Sequence, residues 1–192
     1  AGGYGTRLRK SVPNLPKPMA PILGIPFLEI LIKNLIRKGF LKLIISTFYK
    51  RDLISNYFGN NYCDIPILYT DEKEALGTGG SIRVASEKIK DDHYYVFNGD
   101  TFLNLDVNHM ENLWIKFNKP ILVSTTVKNS ERYGLLTSHD GFVSGFHEKG
   151  KKNDALINAG CYLFPRDYLN VWNFGDKFSL EKDHIQKNFK KE

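Results

Sequence analysis

The sequence predicts an α/β protein with a mostly parallel, doubly wound sheet flanked by helices. Three observations carry this. Short apolar runs of strand length alternate with segments of helical period through the first two thirds of the chain. Later, Tyr133–Thr137 and Phe142–His147 flank Asp140-Gly141, the strongest short-range hairpin signal, so some pairing is antiparallel. The chain is also long enough, at 192 residues with 42% hydrophobic, to bury a full core.

The elements follow in order. The opening ten residues, rich in glycine, read as a loop, and Pro13, Pro16, Pro18 and Pro21 hold the next stretch extended. Phe27 to Arg37 carries apolar residues at helical spacing and stops before Gly39. Leu41–Thr47 is a strand, Asp52–Phe58 a short helix ending near Gly59, and Ile65–Thr70 another strand. Gly79 to Lys88 is helical. Tyr94–Phe97 is a strand that stops at the turn signal Asn98-Gly99. A helix over Val107–Phe117 and a strand over Ile121–Val127 precede the hairpin, and Ala159–Phe164 is a further strand. Arg166–Trp172 and Ser179–Phe189 close the chain as helices. A phosphate-binding loop in an α/β fold follows a strand. This chain opens on the loop and ends on a helix, so the expectation is a single domain, 1–192, truncated at both ends.

Composition excludes several classes. No apolar run approaches the twenty or so residues that span a bilayer, and no secretory leader precedes the loop, so a cytoplasmic protein without membrane attachment is expected. Cys63 and Cys161 stand apart from each other and from any Cys/His cluster; both are expected to be buried free thiols, with no disulfide and no zinc. The +6 formal charge is scattered lysine rather than an arginine-rich stripe, so nucleic acid is not an expected partner. The sequence is silent on oligomeric state, a homo-oligomer included.

The chemistry-bearing residues begin at Gly2-Gly3-Tyr4-Gly5-Thr6-Arg7. Glycines bring bare N–H groups against phosphate oxygens, and Arg7 adds a planar cationic fork. Taken alone, the segment's position at the start of the chain favours a mobile tail. Ten residues after Arg7, Pro16 and Pro18 bracket Lys17 and reduce the entropy lost in placing its ammonium. Asp100 in Asn98-Gly99-Asp100-Thr101 puts a hard carboxylate at the end of an apolar strand, either a metal ligand or a plain turn residue.

Together, GGYGTRLRKSVPNLPKPM closely resembles the signature of the sugar nucleotidyltransferases (nucleoside-diphosphate-sugar pyrophosphorylases), GGxGTRL followed by a PKPM-like element. Further landmarks resemble the family in order. These are Glu72 and Glu74 before Leu76-Gly77-Thr78-Gly79-Gly80, then Asn98-Gly99-Asp100, Tyr133-Gly134, Glu148-Lys149 and Asn158-Ala159-Gly160. The resemblance implies a Rossmann-like, nucleotide-diphospho-sugar transferase fold. It implies nucleotide contacts from Gly2, Gly3, Gly5, Thr6, Glu72, Gly77 and Thr78. It implies catalytic roles for Arg7, Lys17 and Asp100, with magnesium on Asp100. On the sugar-phosphate side it implies Tyr133 and Gly134, with Glu148 and Asn158 on sugar hydroxyls and Lys149 on the phosphate. The family's second magnesium-binding aspartate has no candidate in these residues; Asp183 is a poor substitute.

The implied reaction joins a nucleoside triphosphate to a sugar 1-phosphate and releases pyrophosphate. Segments such as Pro16–Pro21, Glu74–Gly80 and Phe178–Asp183 resemble best the short guanylyltransferases for manno-configured sugars, the D-glycero-D-manno-heptose 1-phosphate enzymes in particular. Guanylyl transfer to mannose 1-phosphate and uridylyl or thymidylyl transfer to a hexose or amino-sugar phosphate stay open, as does a non-catalytic nucleotide-sugar binder on the same fold. Molybdopterin-type transfer is disfavoured by the ten-residue step from Arg7 to Lys17. A dinucleotide-dependent dehydrogenase is excluded, because no strand–GxGxxG–helix unit is present. Glu72 has two readings: a carboxylate that accepts guanine's N1–H and N2–H together, or one more solvated charge in Asp71-Glu72-Lys73-Glu74.

Overall fold

The computed structural model describes residues 14–131, 133–147 and 154–188. These fall into two compact units, one made of 14–75 with 98–102, the other of 76–97 with 103–188.

The first unit opens with a single 3₁₀ turn, Lys17–Met19, closed by Met19 N–H on Pro16 O at 2.8 Å. Pro18 and Met19 point inward, which leaves Lys17 on the outside. A small hairpin follows, β1 (Pro21–Ile22) with β2 (Ile25–Pro26), turned by Leu23 and Gly24, both at positive φ. Helix α1 (Phe27–Arg37) buries Leu28, Leu31, Ile32 and Leu35, the i, i+3, i+4, i+7 stripe of its sequence. It ends where Gly39 takes φ +91° and Phe40 N–H reaches back to Leu35 O. Strand β3 (Leu43–Thr47) leads to α2 (Arg51–Phe58), which buries Ile54 and Phe58. The strands β4 (Asn61–Tyr62) and β5 (Ile65–Asp71) complete a sheet of order β3-β5-β4. There β3 and β5 run parallel, from Leu43 opposite Ile67 to Thr47 opposite Asp71.

The second unit is built on one long strand. It contains α3 (Gly77–Ser86), β6 (His93–Phe97), α4 (Val107–Phe117), β7 (Ile121–Val127), β8 (Leu135–His139), β9 (Phe142–His147) and β10 (Ala155–Pro165). One edge of β10 carries β7; the other carries β8 opposite Ile157 and β6 opposite Cys161–Pro165. All three pairings are antiparallel. The alternation of side chains along β10 feeds two cores. Tyr162 and Phe164 join Tyr94, Leu169, Leu180 and Ile185 on one face. Cys161 and Leu163 join Leu105 and Met110 of the α4 region on the other. A strand buried on both faces has to be apolar at successive positions, and Cys161-Tyr162-Leu163-Phe164 is.

The α/β class is as expected, and α1, α4, β7 and β9 have the expected bounds. The balance of strand directions differs: among the described residues, parallel pairing is confined to β3 and β5, because β10 takes three antiparallel partners. Arg166–Trp172 is a run of turns, with Tyr168 N–H on Pro165 O and Asn170 N–H on Asp167 O, rather than the expected helix. The last helical segment begins as a π-helical turn, Leu180–Ile185, and continues as α over Gln186–Asn188. Cys63 is exposed in a positive-φ turn, against the expected burial, while Cys161 is buried and its thiol is pushed up to about 12 by desolvation. No described helix is long and apolar enough to cross a membrane.

Candidate active site

Of the expected site residues, Gly2, Gly3, Gly5, Thr6, Arg7, Glu148 and Lys149 lie outside the described residues. The others fall in both units.

In the first unit, Lys17 and Asp100 meet although 83 positions separate them: the Lys17 ammonium donates to Asp100 Oδ2. The 3₁₀ turn presents the lysine, and the Asn98–Thr101 turn presents the aspartate, with Thr101 N–H on Asn98 O at 3.3 Å. Both side chains are part-exposed, so the pair itself adds little stability, about 0–1 kcal/mol. Its meaning is chemical. A cation suited to phosphate and a hard anion suited to magnesium share one place. Magnesium takes one or two carboxylates and fills its remaining positions with water and substrate phosphates, so a lone Asp100 fits it. Among the described residues, no cluster of three or more His, Cys, Asp or Glu side chains is placed to hold a metal.

Glu72 follows the carboxyl end of β5, its N–H on Thr47 O at 3.5 Å. The carboxyl ends of parallel strands are where open α/β sheets bind ligands. The Glu72 Oε1 atom is withdrawn from solvent, unlike a fully solvated charge. The neighbouring Asp71 is bound to Arg51 at 2.9 Å.

In the second unit, the Gly77–Gly80 element forms the first turn of α3, and segment 176–180 closes over it. Phe178 O accepts from Gly79 N–H at 3.0 Å and from Gly80 N–H at 3.4 Å, and Phe178 N–H donates to Leu76 O at 3.0 Å. A Cβ on Gly77, which sits at φ +75°, would lie 2.5 Å from Phe178 O. These glycines therefore serve close backbone approach. Thr78 Oγ1 accepts from Leu180 N–H and donates to Glu181 Oε2, both at 2.9 Å.

Asn158 stands where β10 bulges: two residues of β7 step from Ser124 to Leu122 while β10 advances from Asn158 to Tyr162. Its Oδ1 accepts from Gly160 N–H at 2.9 Å, and its Nδ2 donates to the Tyr162 hydroxyl at 2.6 Å. Gly160 is at φ +74°, a conformation that favours glycine. Tyr133 is exposed in the turn before β8, and Gly134 lies under Phe146, whose Cζ would be 2.7 Å from an added Cβ.

The structure thus brings Lys17 to Asp100 in one unit, and Thr78 to Asn158, through Glu181 and Tyr162, in the other. Sequence reasoning assigned no role to Tyr162, Phe178 or Glu181. Nothing local marks Glu181; what Ser179-Leu180-Glu181-Lys182-Asp183 does carry is an N-cap at Ser179. Ser179 Oγ accepts from Lys182 N–H, and Asp183 accepts from Ser179 N–H at 2.8 Å and from Lys187. These bonds hold the Asp183 carboxyl below its ordinary value, the Ser179 N–H first. Asp183 is thus engaged as a cap.

Comparison with known proteins shows the family. The profile of the nucleotidyl transferase family matches residues 1–191. The chain is 40% identical, over 98% of its length and 82% of the relative's, to D-glycero-alpha-D-manno-heptose 1-phosphate guanylyltransferase of Aneurinibacillus thermoaerophilus. It is 38% identical, over 99% and 84%, to the protein of the same name from Campylobacter jejuni. The crystal structure of HddC from Yersinia pseudotuberculosis superposes with a TM-score of 0.86 at 34% identity, covering 96% of this chain and 82% of that one. The chain therefore belongs to the nucleotidyl transferase family and is a nucleotidyltransferase.

Proposed function

We propose that this enzyme joins GTP to a manno-configured heptose 1-phosphate and releases pyrophosphate. The observation that carries the reading is the meeting of Lys17 and Asp100, a phosphate-binding cation beside a hard carboxylate, in a chain of this family. The substrates follow from the relatives: two are heptose 1-phosphate guanylyltransferases, and HddC has also been crystallised with GMP-PN. Glu72 beyond β5, part-exposed with its Oε1 withdrawn from solvent, supports guanine. An acceptor-only group suits the paired N–H donors of guanine and is repelled by the carbonyls of uracil and thymine.

The sugar phosphate already carries an adequate oxygen nucleophile, so the protein needs no general base. That oxygen attacks the α-phosphorus in line, and the bond to the β-phosphate oxygen breaks as pyrophosphate leaves opposite. What the protein supplies is positioning and charge. Arg7 and the N–H groups of Gly2, Gly3 and Gly5 hold the departing pyrophosphate. Lys17 and Lys149 offset the repulsion between the two anions. Asn158, with Glu148, takes sugar hydroxyls, and Tyr133-Gly134 borders them. Gly77 and Thr78 lie at the nucleoside. Magnesium held by Asp100 would add charge neutralisation at the phosphates. We place the reaction in the cytoplasm, where nucleoside triphosphates are available, and treat residues 1–192 as one catalytic domain.

The test is a matrix of four nucleoside triphosphates against several sugar 1-phosphates, read as pyrophosphate release. The expected maximum is GTP with a manno-heptose phosphate, and a maximum at UTP or dTTP with a hexose phosphate would replace this reading.

A further inference from the structure

Inside the second unit, one side chain joins the first turn of α3 to the bulge of β10. Glu181 Oε2 accepts from Thr78 Oγ1 at 2.9 Å and from Ser179 Oγ at 3.1 Å. Its Oε1 faces the Tyr162 hydroxyl at 3.4 Å. Tyr162, 1% exposed, takes the Asn158 Nδ2 bond at 2.6 Å, and Asn158 Oδ1 takes Gly160 N–H.

The direction of these bonds is dictated by the groups at the two ends, an acceptor at Glu181 and the Gly160 N–H donor. An ionised carboxylate can only accept, so the Tyr162 hydroxyl has to donate its single hydrogen to Glu181. The phenol oxygen is then left to accept from Asn158 Nδ2. That holds the Asn158 amide with its oxygen toward Gly160, and leaves one N–H and one oxygen lone pair for another partner. Burial, and next the Glu181 charge, raise the Tyr162 hydroxyl above its ordinary value, so it keeps its proton.

We infer that Glu181 is a positioning residue: by fixing which way the Tyr162 hydroxyl points, it secures the Nδ2 end of the Asn158 amide, whose Oδ1 end Gly160 N–H holds, and so steadies the groups offered to the sugar hydroxyls. The inference rests on the reading of Asn158 as a sugar ligand. Replacing the carboxylate by an amide keeps its size, and the amide oxygen can still accept from Thr78. Its NH₂, however, can donate to Tyr162, which competes with Asn158 Nδ2 and leaves Gly160 N–H alone to hold the Asn158 amide in place.

The experiment compares Glu181→Gln, Tyr162→Phe and the double variant with the parent. Three quantities are read: the KM of each substrate, the thermal midpoint, and the ¹H–¹⁵N signals of the Asn158 side-chain amide, identified by their loss in Asn158→Ala. Glu181→Gln should raise the KM for the sugar 1-phosphate by about tenfold, the loss of one directed hydrogen bond. The KM for the nucleotide should stay within about twofold. The Asn158 amide signals should move in both single variants, and the double variant should be no worse than either, as for members of one network. Unmoved amide signals in Glu181→Gln, equal changes in both KM values, or multiplying effects in the double variant would overturn the inference. A merely structural glutamate would lower the thermal midpoint and leave the ratio of KM values alone. The amide signals decide the matter without turnover, so a parent enzyme inactive on every sugar 1-phosphate would count against the proposed function and not against this role.

Discussion

Substituting Gly80 by alanine sets two effects of opposite sign against each other. In an ordinary exposed helix the change is stabilising by about 1 kcal/mol, since glycine is the poorer helix former. Gly80 is instead buried in the first turn of α3, under segment 176–180. A Cβ there would run into the Asp176 carbonyl oxygen and lie 2.9 Å from Leu76 Cβ. Carbon and carbonyl oxygen settle at about 3.3 Å or more, so the Asp176 backbone has to retreat. It carries the Phe178 N–H bond to Leu76 O and the Phe178 O bonds to Gly79 and Gly80. Overpacking typically costs about 1–3 kcal/mol, and each strained hydrogen bond about 1 kcal/mol more. The clash outweighs the helix gain, and the net is a destabilisation of about 1–3 kcal/mol. For a chain of this length that lowers the thermal midpoint by about 2–12 °C. Calorimetry of the parent and Gly80→Ala proteins measures it. A midpoint that rises by a few degrees would mean that the helix term wins, and would refute the packing of segment 176–180 on α3.

Asp100→Asn should keep the fold, because the exposed pair with Lys17 is worth about 1 kcal/mol at most, yet it should lose magnesium-dependent turnover by about two decades or more; a magnesium titration that superposes on the parent's would make Asp100 a turn residue. Glu72→Gln should lower the GTP-over-UTP ratio of kcat/KM by about tenfold, the worth of one charged hydrogen bond; an unchanged ratio would transfer base selection to backbone groups. The Glu29 carboxyl of α1 is lowered from 4.5 to about 2 by Lys33 first and then Tyr57. A depressed carboxyl contributes stability that is present above its ordinary value and lost as pH falls toward the folded one. Urea unfolding should therefore show stability falling between pH 4.5 and about 2, and Glu29→Gln should flatten that slope.

What the sequence shows plainly is what local rules decide. Helix α1 is legible to the residue because its apolar stripe and Gly39 agree, and α4 because its apolar period stops at Phe117, where Asn118 turns left-handed. Asp140-Gly141 names its own hairpin. Strand direction is not local. The alternation of strands and helices says that the fold is α/β, but not that β10 takes antiparallel partners on both edges. The hairpin of β1 and β2 hides in a proline-rich stretch, since its turn is Leu23-Gly24 and leucine rarely takes positive φ. The start of β10 at Ala155 is masked by Asn158-Ala159-Gly160, which reads as a polar break and is a bulge. The site divides the same way. Lys17, Asp100, Thr78 and Asn158 stand in motifs with the right spacing. Glu181 acquires meaning only through Thr78, 103 positions away, and Tyr162.

The central claim is most directly tested by product analysis of the purified protein incubated with GTP, D-glycero-D-manno-heptose 1-phosphate and magnesium. Mass spectrometry of the nucleotides and a pyrophosphate assay should give GDP-heptose and pyrophosphate in equal amounts, with neither formed when the sugar phosphate is left out. Pyrophosphate or phosphate released from GTP without the sugar, or no GDP-sugar in its presence, would contradict the account.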